Sequence, residues 1–193
     1  NYSLLNATKN EGKTIGIYCF DPRHFDMTSY GFKKTEKFRA QFLIETVAEL
    51  KENLLKKNIS LLIYFDTPEN VFDKAIQEFH ISNVYFQKEW TSEEIKVNKN
   101  LKNRFKNVNF IESFDQFLFH PEDIPYQNIK DLPQVFTVFR KECEKKVSVR
   151  KTVSIQSKSK ENLIENKTSI PTLEHLGYED FELNKNTAFP FKG

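Results

Sequence analysis

Residues 14–20 have the sequence TIGIYCF, and residues 61–65 have the sequence LLIYF. Both runs are apolar almost throughout instead of alternating, which is typical of strands covered on both faces, as in a parallel sheet. Two further runs, NVYFQ at 83–87 and VNFIE at 108–112, have a similar β-branched and aromatic character. The four runs predict four strands.

Helical patterns separate these strands. Between 36 and 57 apolar residues recur every three or four positions, and a second apolar stripe follows Thr67-Pro68-Glu69. A third helix is predicted to begin at Thr91-Ser92-Glu93-Glu94, a T-x-x-E capping box, and to run to about Phe105. Strands that alternate with helices predict an α/β fold: a Rossmann-like, doubly wound, mostly parallel sheet.

The two ends of the chain have a different character. Residues 2–9 predict a short helix, and in a βαβ series such a helix follows a strand, so we expect a first strand that this sequence lacks. Residues 132–146 predict another helix, whereas 147–167 are rich in Lys, Ser and Asn and lack periodicity. We therefore expect a domain over 1–146 and an extended interdomain connector over 147–193.

Composition excludes several classes of protein. The 193 residues carry 29 Lys and Arg against 27 Asp and Glu, a net charge of +2, which is too small to argue for nucleic acid by bulk electrostatics. The five glycines form no phosphate-binding loop. No apolar run approaches the roughly 20 residues of a membrane span. Two distant cysteines favour a reducing cytoplasm and argue against a structural metal site.

Two groups of polar residues follow predicted strand ends, where open α/β sheets bind ligands. His24 comes after the first strand, although Asp21-Pro22 also predicts a simple turn there. Glu89, Glu93 and Glu94 follow the third strand, where acidic residues equally favour the first turn of a helix. The loop at 28–35 mixes aromatic and basic residues that suit a phosphate or a base, or only a surface turn. No complete catalytic constellation is present.

Several stretches together resemble the N-terminal α/β domain of the DNA photolyase/cryptochrome family, in particular its DASH-type cryptochromes. The matching stretches occur in the family's order along the whole chain: YCFDPRHF at 18–25, YGF at 30–32, FRAQFL at 38–43, TSEE at 91–94, HPED at 120–123, LPQVFTVFRK at 132–141, PTL at 171–173 and AFPFKG at 188–193. The family's opening strand has no counterpart here beyond Asn1, and Trp90 is the only tryptophan, so no tryptophan relay is expected within this chain.

The resemblance implies an antenna domain. Such domains hold methenyltetrahydrofolate, or a deazaflavin in some relatives, and pass excitation energy to FAD in a following helical domain. It also implies that the parent protein is a deoxyribodipyrimidine photolyase that repairs cyclobutane pyrimidine dimers in UV-damaged, mainly single-stranded DNA, or a receptor of blue light. We expect this chain alone to be non-catalytic and to bind neither FAD nor a metal.

The resemblance also suggests cofactor-binding residues. Phe25, Lys88, Glu93 and Glu94 follow predicted strand ends, and the family holds its folate with a carboxylate near 88–94. Glu93 is expected to be that carboxylate, because Glu94 fits the capping box and would be occupied by the backbone.

Two alternatives stay open. The chain could be another nucleotide-binding α/β module, similar to universal-stress or electron-transfer-flavoprotein domains. It could also be a scaffold domain that has lost its antenna ligand.

Overall fold

Strands and helices alternate along the first 113 residues. A computed structural model describes residues 1–182 and Asn186. It contains α1 Tyr2–Thr8, β1 Gly16–Cys19, α2 Lys37–Leu55, β2 Leu61–Tyr64, α3 Pro68–Phe79, β3 Asn83–Gln87, α4 Ser92–Arg104, β4 Asn109–Ser113 and α5 Phe136–Lys146. Short 3-10 helices occupy Pro22–His24, Ile129–Asp131 and Lys160–Asn162.

The four strands form two separate parallel pairs, β1 with β2 and β3 with β4. Gly16 lies opposite Leu61 in the β1–β2 pair, and Asn83 lies opposite Asn109 in the β3–β4 pair. The predicted α/β class and parallel pairing are confirmed. The predicted single sheet is not formed among the described residues, because β1 and β3 each have one partner only.

The main hydrophobic core lies between α2 and the β1–β2 pair. It includes Phe20, Val47 and Ile63, and the C-terminal stretch adds Leu176 and Tyr178. Gly16 permits close approach here, since a Cβ at this position would lie 2.8 Å from Leu61 Cδ1. The segment that contains Leu176 and Tyr178 is therefore part of the core of this domain.

Helix α4 begins where the sequence predicts, but the predicted capping hydrogen bond is absent, and α3 also begins without one. Thr67 and Thr91 are the N-cap residues of α3 and α4, but neither side chain makes a capping hydrogen bond. Asp66 organises the start of α3 instead, because its Oδ1 accepts from the Thr67 N–H at 2.7 Å and from Asn70 Nδ2 at 2.9 Å. The predicted capping box at 91–94 is wrong, and Glu94 is not occupied by the backbone.

The helix predicted over 132–146 begins later than expected. Leu132 and Val135 have extended backbone angles, and α5 starts at Phe136. Pro133 explains part of the delay, because a residue that precedes proline is disfavoured in the helical region.

The connector that was predicted from residue 147 onward consists of two unlike parts. Residues 147–159 form no regular structure. Beyond them, side chains of the connector bond to β2: Asn166 Nδ2 donates to the Leu61 carbonyl at 2.7 Å, and Thr168 Oγ1 accepts from the Ile63 N–H at 2.8 Å. The second part is thus fixed along the free edge of β2. The motif at 188–193 lies outside the described residues.

Within the described part of the chain, no helix combines the length and the apolarity that a membrane crossing needs.

Candidate functional site

A cleft of about 590 Å³ opens at the carboxyl ends of β1 and β3. This is the edge at which open α/β sheets bind ligands. Its walls come from the segment after β1, the end of β3 and the first turns of α4. The polar side chains of its lining are Asp21, Arg23, His24, Asp26, Thr28, Lys34, Gln87, Glu89, Glu93, Glu94, Lys96 and Asn98.

Asp21 anchors the wall that follows β1. The Asp-Pro turn predicted from the sequence is a 3-10 helix, and Asp21 Oδ1 accepts the Arg23 N–H at 3.0 Å as its cap. The Arg23 guanidinium contacts the same buried carboxylate with Nε 2.9 Å from both oxygens, and it reaches Glu69 Oε2 with Nη2 at 3.0 Å. Arg23 therefore joins β1 to α3.

This ion-pair network changes the pKa of both carboxylates. Burial by itself would raise the pKa of Asp21, but the hydrogen bonds and charge of Arg23 outweigh it, and the pKa is lowered. The pKa of Glu69 is also lowered: its own backbone N–H, Asn100 and Arg23 together outweigh the effect of burial. Because Arg23 is paired with two carboxylates, it is not available to a ligand phosphate.

Glu93 is paired as well. Its carboxylate accepts a hydrogen bond from the ammonium group of Lys34, which lies in the loop between β1 and α2. This bond and the lysine charge lower the pKa of Glu93. The Glu93 side chain is 62% exposed, so the pair bridges the mouth of the cleft at the solvent boundary.

Glu94 has a different environment. It is half-buried in the cleft wall, and its Oε2 is fully buried with no hydrogen-bond partner. Burying a carboxylate oxygen without a partner is costly. One carboxylate oxygen of Glu94, a lining residue, therefore has no hydrogen-bond donor.

The charged side chains of the lining, taken together, make the cleft acidic. Five carboxylates, Asp21, Asp26, Glu89, Glu93 and Glu94, face three cations, Arg23, Lys34 and Lys96. The amides of Gln87 and Asn98 add neutral donors and acceptors, and Phe86, Met27 and Val97 add apolar surface. A neutral or cationic heterocycle with several N–H donors suits this lining better than a phosphate does.

Two residues predicted for the site do not line this cleft. Phe25 is 6% exposed and belongs to the core, where its ring is near Phe20, Phe65 and Tyr178. The Lys88 ammonium lies 4.7 Å from the ring centroid of Phe114 and 5.5 Å from that of Trp90. A ligand-binding role for these two residues remains a prediction; Glu93 and Glu94 are brought together in the cleft.

Sequence reasoning missed part of the lining. Gln87 is the last residue of β3, so its position at a strand end was an available signal. Asn98 lies in the second turn of α4, and Glu69 of α3 takes part in the ion pairs of Arg23. The positions of both side chains depend on how the helices pack, which the sequence pattern does not reveal.

The described residues contain no group of histidine, cysteine or acidic side chains that could hold a metal ion.

Cys19 lies in the cleft wall, and burial together with the nearby carboxylates raises the pKa of its thiol to about 12. A protonated thiol is a poor nucleophile and a poor metal ligand.

Comparison with known proteins identifies the family. The model of the DNA photolyase family matches residues 1–159. Cryptochrome DASH of Gloeobacter violaceus is 33% identical over 192 residues, which cover 98% of this chain and 38% of that protein. Cryptochrome DASH of Xenopus laevis is 34% identical over 200 residues, again covering 38% of its own length. The chain thus spans less than two-fifths of these relatives.

Solved structures agree with the fold. A cryptochrome of Synechocystis sp. PCC6803 superposes with a TM-score of 0.85 at 30% identity, covering all of this chain and 40% of that one. An archaeal photolyase from Sulfolobus tokodaii, described with two FAD molecules, superposes with a TM-score of 0.69 at 20% identity over 91% of this chain and 37% of that one. The chain therefore belongs to the DNA photolyase family, and the two curated relatives named above are DASH-type cryptochromes.

Proposed function

We propose that this domain is the antenna-chromophore domain of a DASH-type photolyase or cryptochrome, and that the cleft at the carboxyl ends of β1 and β3 holds the antenna. The observation that carries the proposal is the buried, unpartnered Oε2 of Glu94 in the wall of that cleft. We propose that a bound ligand donates a hydrogen bond to this carboxylate, which would give the oxygen the partner that buried polar atoms normally have.

The chemistry of methenyltetrahydrofolate fits this lining. Its pterin carries an amino group and ring N–H groups, and its methenyl bridge is cationic, so an acidic cleft with apolar walls complements it. When bound, the folate would supply absorption of blue and near-ultraviolet light and transfer of the excitation energy to a flavin. The residues of this chain would bind it, orient it and exclude water around it.

Glu94, rather than Glu93, is the carboxylate that we propose for the folate contact. The sequence argument favoured Glu93 because the capping box would have occupied Glu94, but Thr91 makes no capping bond. Glu93 already has Lys34 as a partner and is largely exposed. A ligand that bound Glu93 would have to displace that lysine, whereas Glu94 gains a partner that it lacks.

Membership of the family supports a proposal for the wider role. We propose that the parent protein also contains a helical FAD-binding domain after this one, which performs the photochemistry on UV-damaged, mainly single-stranded DNA or signals blue light. In this proposal the present domain gathers light and performs no chemistry of its own. Because Cys19 and Cys143 are both free thiols, a reducing compartment such as the cytoplasm suits the domain.

The charge of the cleft favours the antenna over a nucleotide-binding module. A nucleotide phosphate needs free N–H groups or free cations. Here two of the three cations, Arg23 and Lys34, are already paired, and the carboxylates outnumber the cations. A ligand-free scaffold would leave Glu94 Oε2 without a partner.

The function can be tested on the full-length protein that contains this domain. Purified protein should be incubated with methenyltetrahydrofolate, separated from free ligand and excited in the folate absorption band while flavin photoreduction is followed. We expect folate to remain bound and to sensitise the flavin. Failure to retain folate would reject the antenna proposal for this ligand, and competition by ATP at equal concentration would favour the nucleotide-binding alternative.

A further inference from the structure

Three segments that are distant in sequence meet at the amino ends of β1 and β2. Residues 9–13 precede β1, residues 56–58 precede β2, and residues 158–161 are part of the connector. The Lys158 N–H donates a hydrogen bond to the Lys57 carbonyl at 3.0 Å. This bond places the connector beside the end of α2.

Lys158 also joins the connector to the segment before β1. Its ammonium group donates to the carbonyls of Asn10 and Gly12, at 2.7 Å and 3.1 Å. Asn58 Nδ2 donates to the Lys158 carbonyl at 2.7 Å. Through these bonds one residue fixes all three segments against one another.

The three segments form a basic surface, hereafter called the basic edge. Its cations are six lysines: Lys9, Lys13, Lys56, Lys57, Lys158 and Lys160. The carboxylates of the same region are Glu11, Glu161 and, in the last turn of α2, Glu52. Lys158 is half-buried and the other five lysines are exposed. The lysines thus outnumber the carboxylates on an accessible surface.

None of the six lysines forms an ion pair with another described residue. Lys56 bonds to a neutral oxygen, Asn53 Oδ1, at 3.1 Å. Elsewhere in the domain Arg23, Arg104 and Arg150 all have carboxylate partners. Like charges that converge without counter-charges repel one another, and a polyanion would supply the missing counter-charges.

The opposite edge of the strands has the opposite charge. The cleft at the carboxyl ends of β1 and β3 is lined by five carboxylates and three cations. The net charge of the whole chain, +2, conceals this separation. A polyanion is therefore attracted to the basic edge and repelled by the cleft.

The side chains of the basic edge suit the phosphate backbone of a nucleic acid. Lysine is a point charge without the planar fork with which arginine binds one phosphate or one base, so several lysines fit a row of phosphates. The three segments contain no aromatic side chain on which a base could stack. Contacts to phosphate alone carry no sequence information, so binding is expected to be independent of base sequence.

An anionic lipid surface fits the basic edge less well. Peripheral membrane sites insert large apolar side chains beside their cations. Residues 9–13, 56–58 and 158–161 contain no apolar side chain, and Leu55, which precedes the second segment, is 55% exposed. A partner that presents phosphates in water, without an apolar layer, matches this surface better.

We propose that the basic edge binds the phosphate backbone of nucleic acid without regard to base sequence. This surface lies at the amino ends of the strands, away from the proposed folate cleft, and its binding depends on neither that cleft nor its ligand. In a parent protein that acts on DNA, the basic edge would hold the strand outside the domain that performs the photochemistry.

A triple variant tests the basic edge in the 193-residue chain. Lys13→Gln, Lys57→Gln and Lys160→Gln together remove one exposed cation from each segment, and these three side chains take no part in the bonds described above. The probe is a fluorescein-labelled oligothymidylate of about 20 nucleotides, longer than most single-strand binding sites. Fluorescence anisotropy gives its Kd at a series of salt concentrations.

The expected result has two parts. The triple variant should bind the oligothymidylate at least about tenfold more weakly than the unsubstituted chain at low salt. The slope of log Kd against log salt should also be smaller by about two, because about 0.7 counterion is released for each phosphate of a single strand that a cation neutralises.

A second triple variant controls for net charge. Lys99→Gln, Lys130→Gln and Lys141→Gln remove three exposed lysines that lie outside the basic edge. We expect its Kd to stay within about threefold of that of the unsubstituted chain, since local charge decides the contact. Equal weakening in the two triple variants would overturn the proposal, and so would an unsubstituted chain that does not bind the oligothymidylate.

A further measurement locates the contact without any substitution. The amide chemical shifts of the unsubstituted chain are followed by NMR as the oligothymidylate is added. We expect the shifts to change at 9–13, 56–58 and 158–161, and a mixed-sequence oligonucleotide of the same length should affect the same amides. Changes concentrated elsewhere would overturn the proposal. Tighter binding to vesicles of phosphatidylserine and phosphatidylcholine than to the oligothymidylate would also overturn it, in favour of a lipid surface.

Discussion

The carboxamide of Asn162 pairs with the main chain of Thr14 across 148 positions of sequence. Asn162 Oδ1 accepts from the Thr14 N–H at 2.7 Å, and Nδ2 donates to the Thr14 carbonyl at 2.9 Å. The same Nδ2 is 2.6 Å from the Asn58 carbonyl. Asn162 is 4% exposed, so one buried side chain ties the connector to the segments that precede β1 and β2.

Replacing this side chain should destabilise the domain. Asn162→Ala leaves the buried main-chain groups of Thr14 without their partner, and we expect the free energy of unfolding to fall by about 2–4 kcal/mol for the lost bonds together. Asn103→Ala, at an exposed position of α4, is a matched control and should change it by no more than about 0.5 kcal/mol. Urea unfolding measures both; a loss for Asn162→Ala no larger than that of the control would contradict the anchoring role.

Limited proteolysis should separate the two parts of the connector. The backbone of 147–157 forms no regular structure, whereas 158–168 is bonded to the region of β2. Since cleavage requires local opening, trypsin should cut first at Arg150 or Lys151 and later at Lys160 or Lys167. Mass spectrometry of early time points identifies the sites, and first cleavage at Lys160 would be inconsistent with the docked segment.

Acid should weaken the domain through Asp21. Burial alone would raise the pKa of this carboxyl, but the hydrogen bonds and charge of Arg23 outweigh burial, so the pKa is lowered in the folded protein. A carboxyl group whose pKa is lower in the folded than in the unfolded protein stabilises the fold at pH values above its unfolded-state pKa of about 4. This stabilisation is lost as the pH falls toward the folded-state pKa. The free energy of unfolding should therefore drop below about pH 5, and Asp21→Asn should reduce that slope.

The same variant should also be less stable at neutral pH. Asp21→Asn removes the charged partner of Arg23 and should lower stability at pH 7 by about 1.5–3 kcal/mol. Glu179→Gln, a carboxylate on the exposed surface, serves as the control and should leave both the slope and the neutral-pH stability unchanged within error. An unaltered slope in Asp21→Asn would show that other groups control the acid transition.

The sequence predicted the elements better than their arrangement. Apolar runs such as LLIYF at 61–65 and the helical stripe of α2 correspond to β2 and α2 within two residues, because local periodicity reflects burial directly. The docking of Asn162 depends on contacts between distant segments. No local pattern records such contacts.

Strand ends drew attention to 88–94 in the sequence, since parallel strands present their carboxyl ends at one edge. The structure has a cleft at that edge, and the role of its residues in binding remains a prediction. The choice between Glu93 and Glu94 depended on a capping bond that Thr91 does not make, and on Lys34, which is distant in sequence. Phe25 shares the strand-end position but packs in the core, because position at a strand end does not determine where a side chain points.

The most direct test of the antenna proposal compares Glu94→Gln with Glu93→Gln in the full-length protein. Glu94→Gln keeps the shape of the side chain and removes its charge, so loss of one charge-assisted hydrogen bond should weaken folate binding about ten- to a hundredfold. Glu93→Gln, one residue away, should retain folate within about threefold of the wild type, and FAD content should stay constant in both variants. The measurement is the ratio of folate to FAD absorbance after gel filtration. A ratio in Glu94→Gln equal to that of the wild type, or a loss confined to Glu93→Gln, would contradict the account.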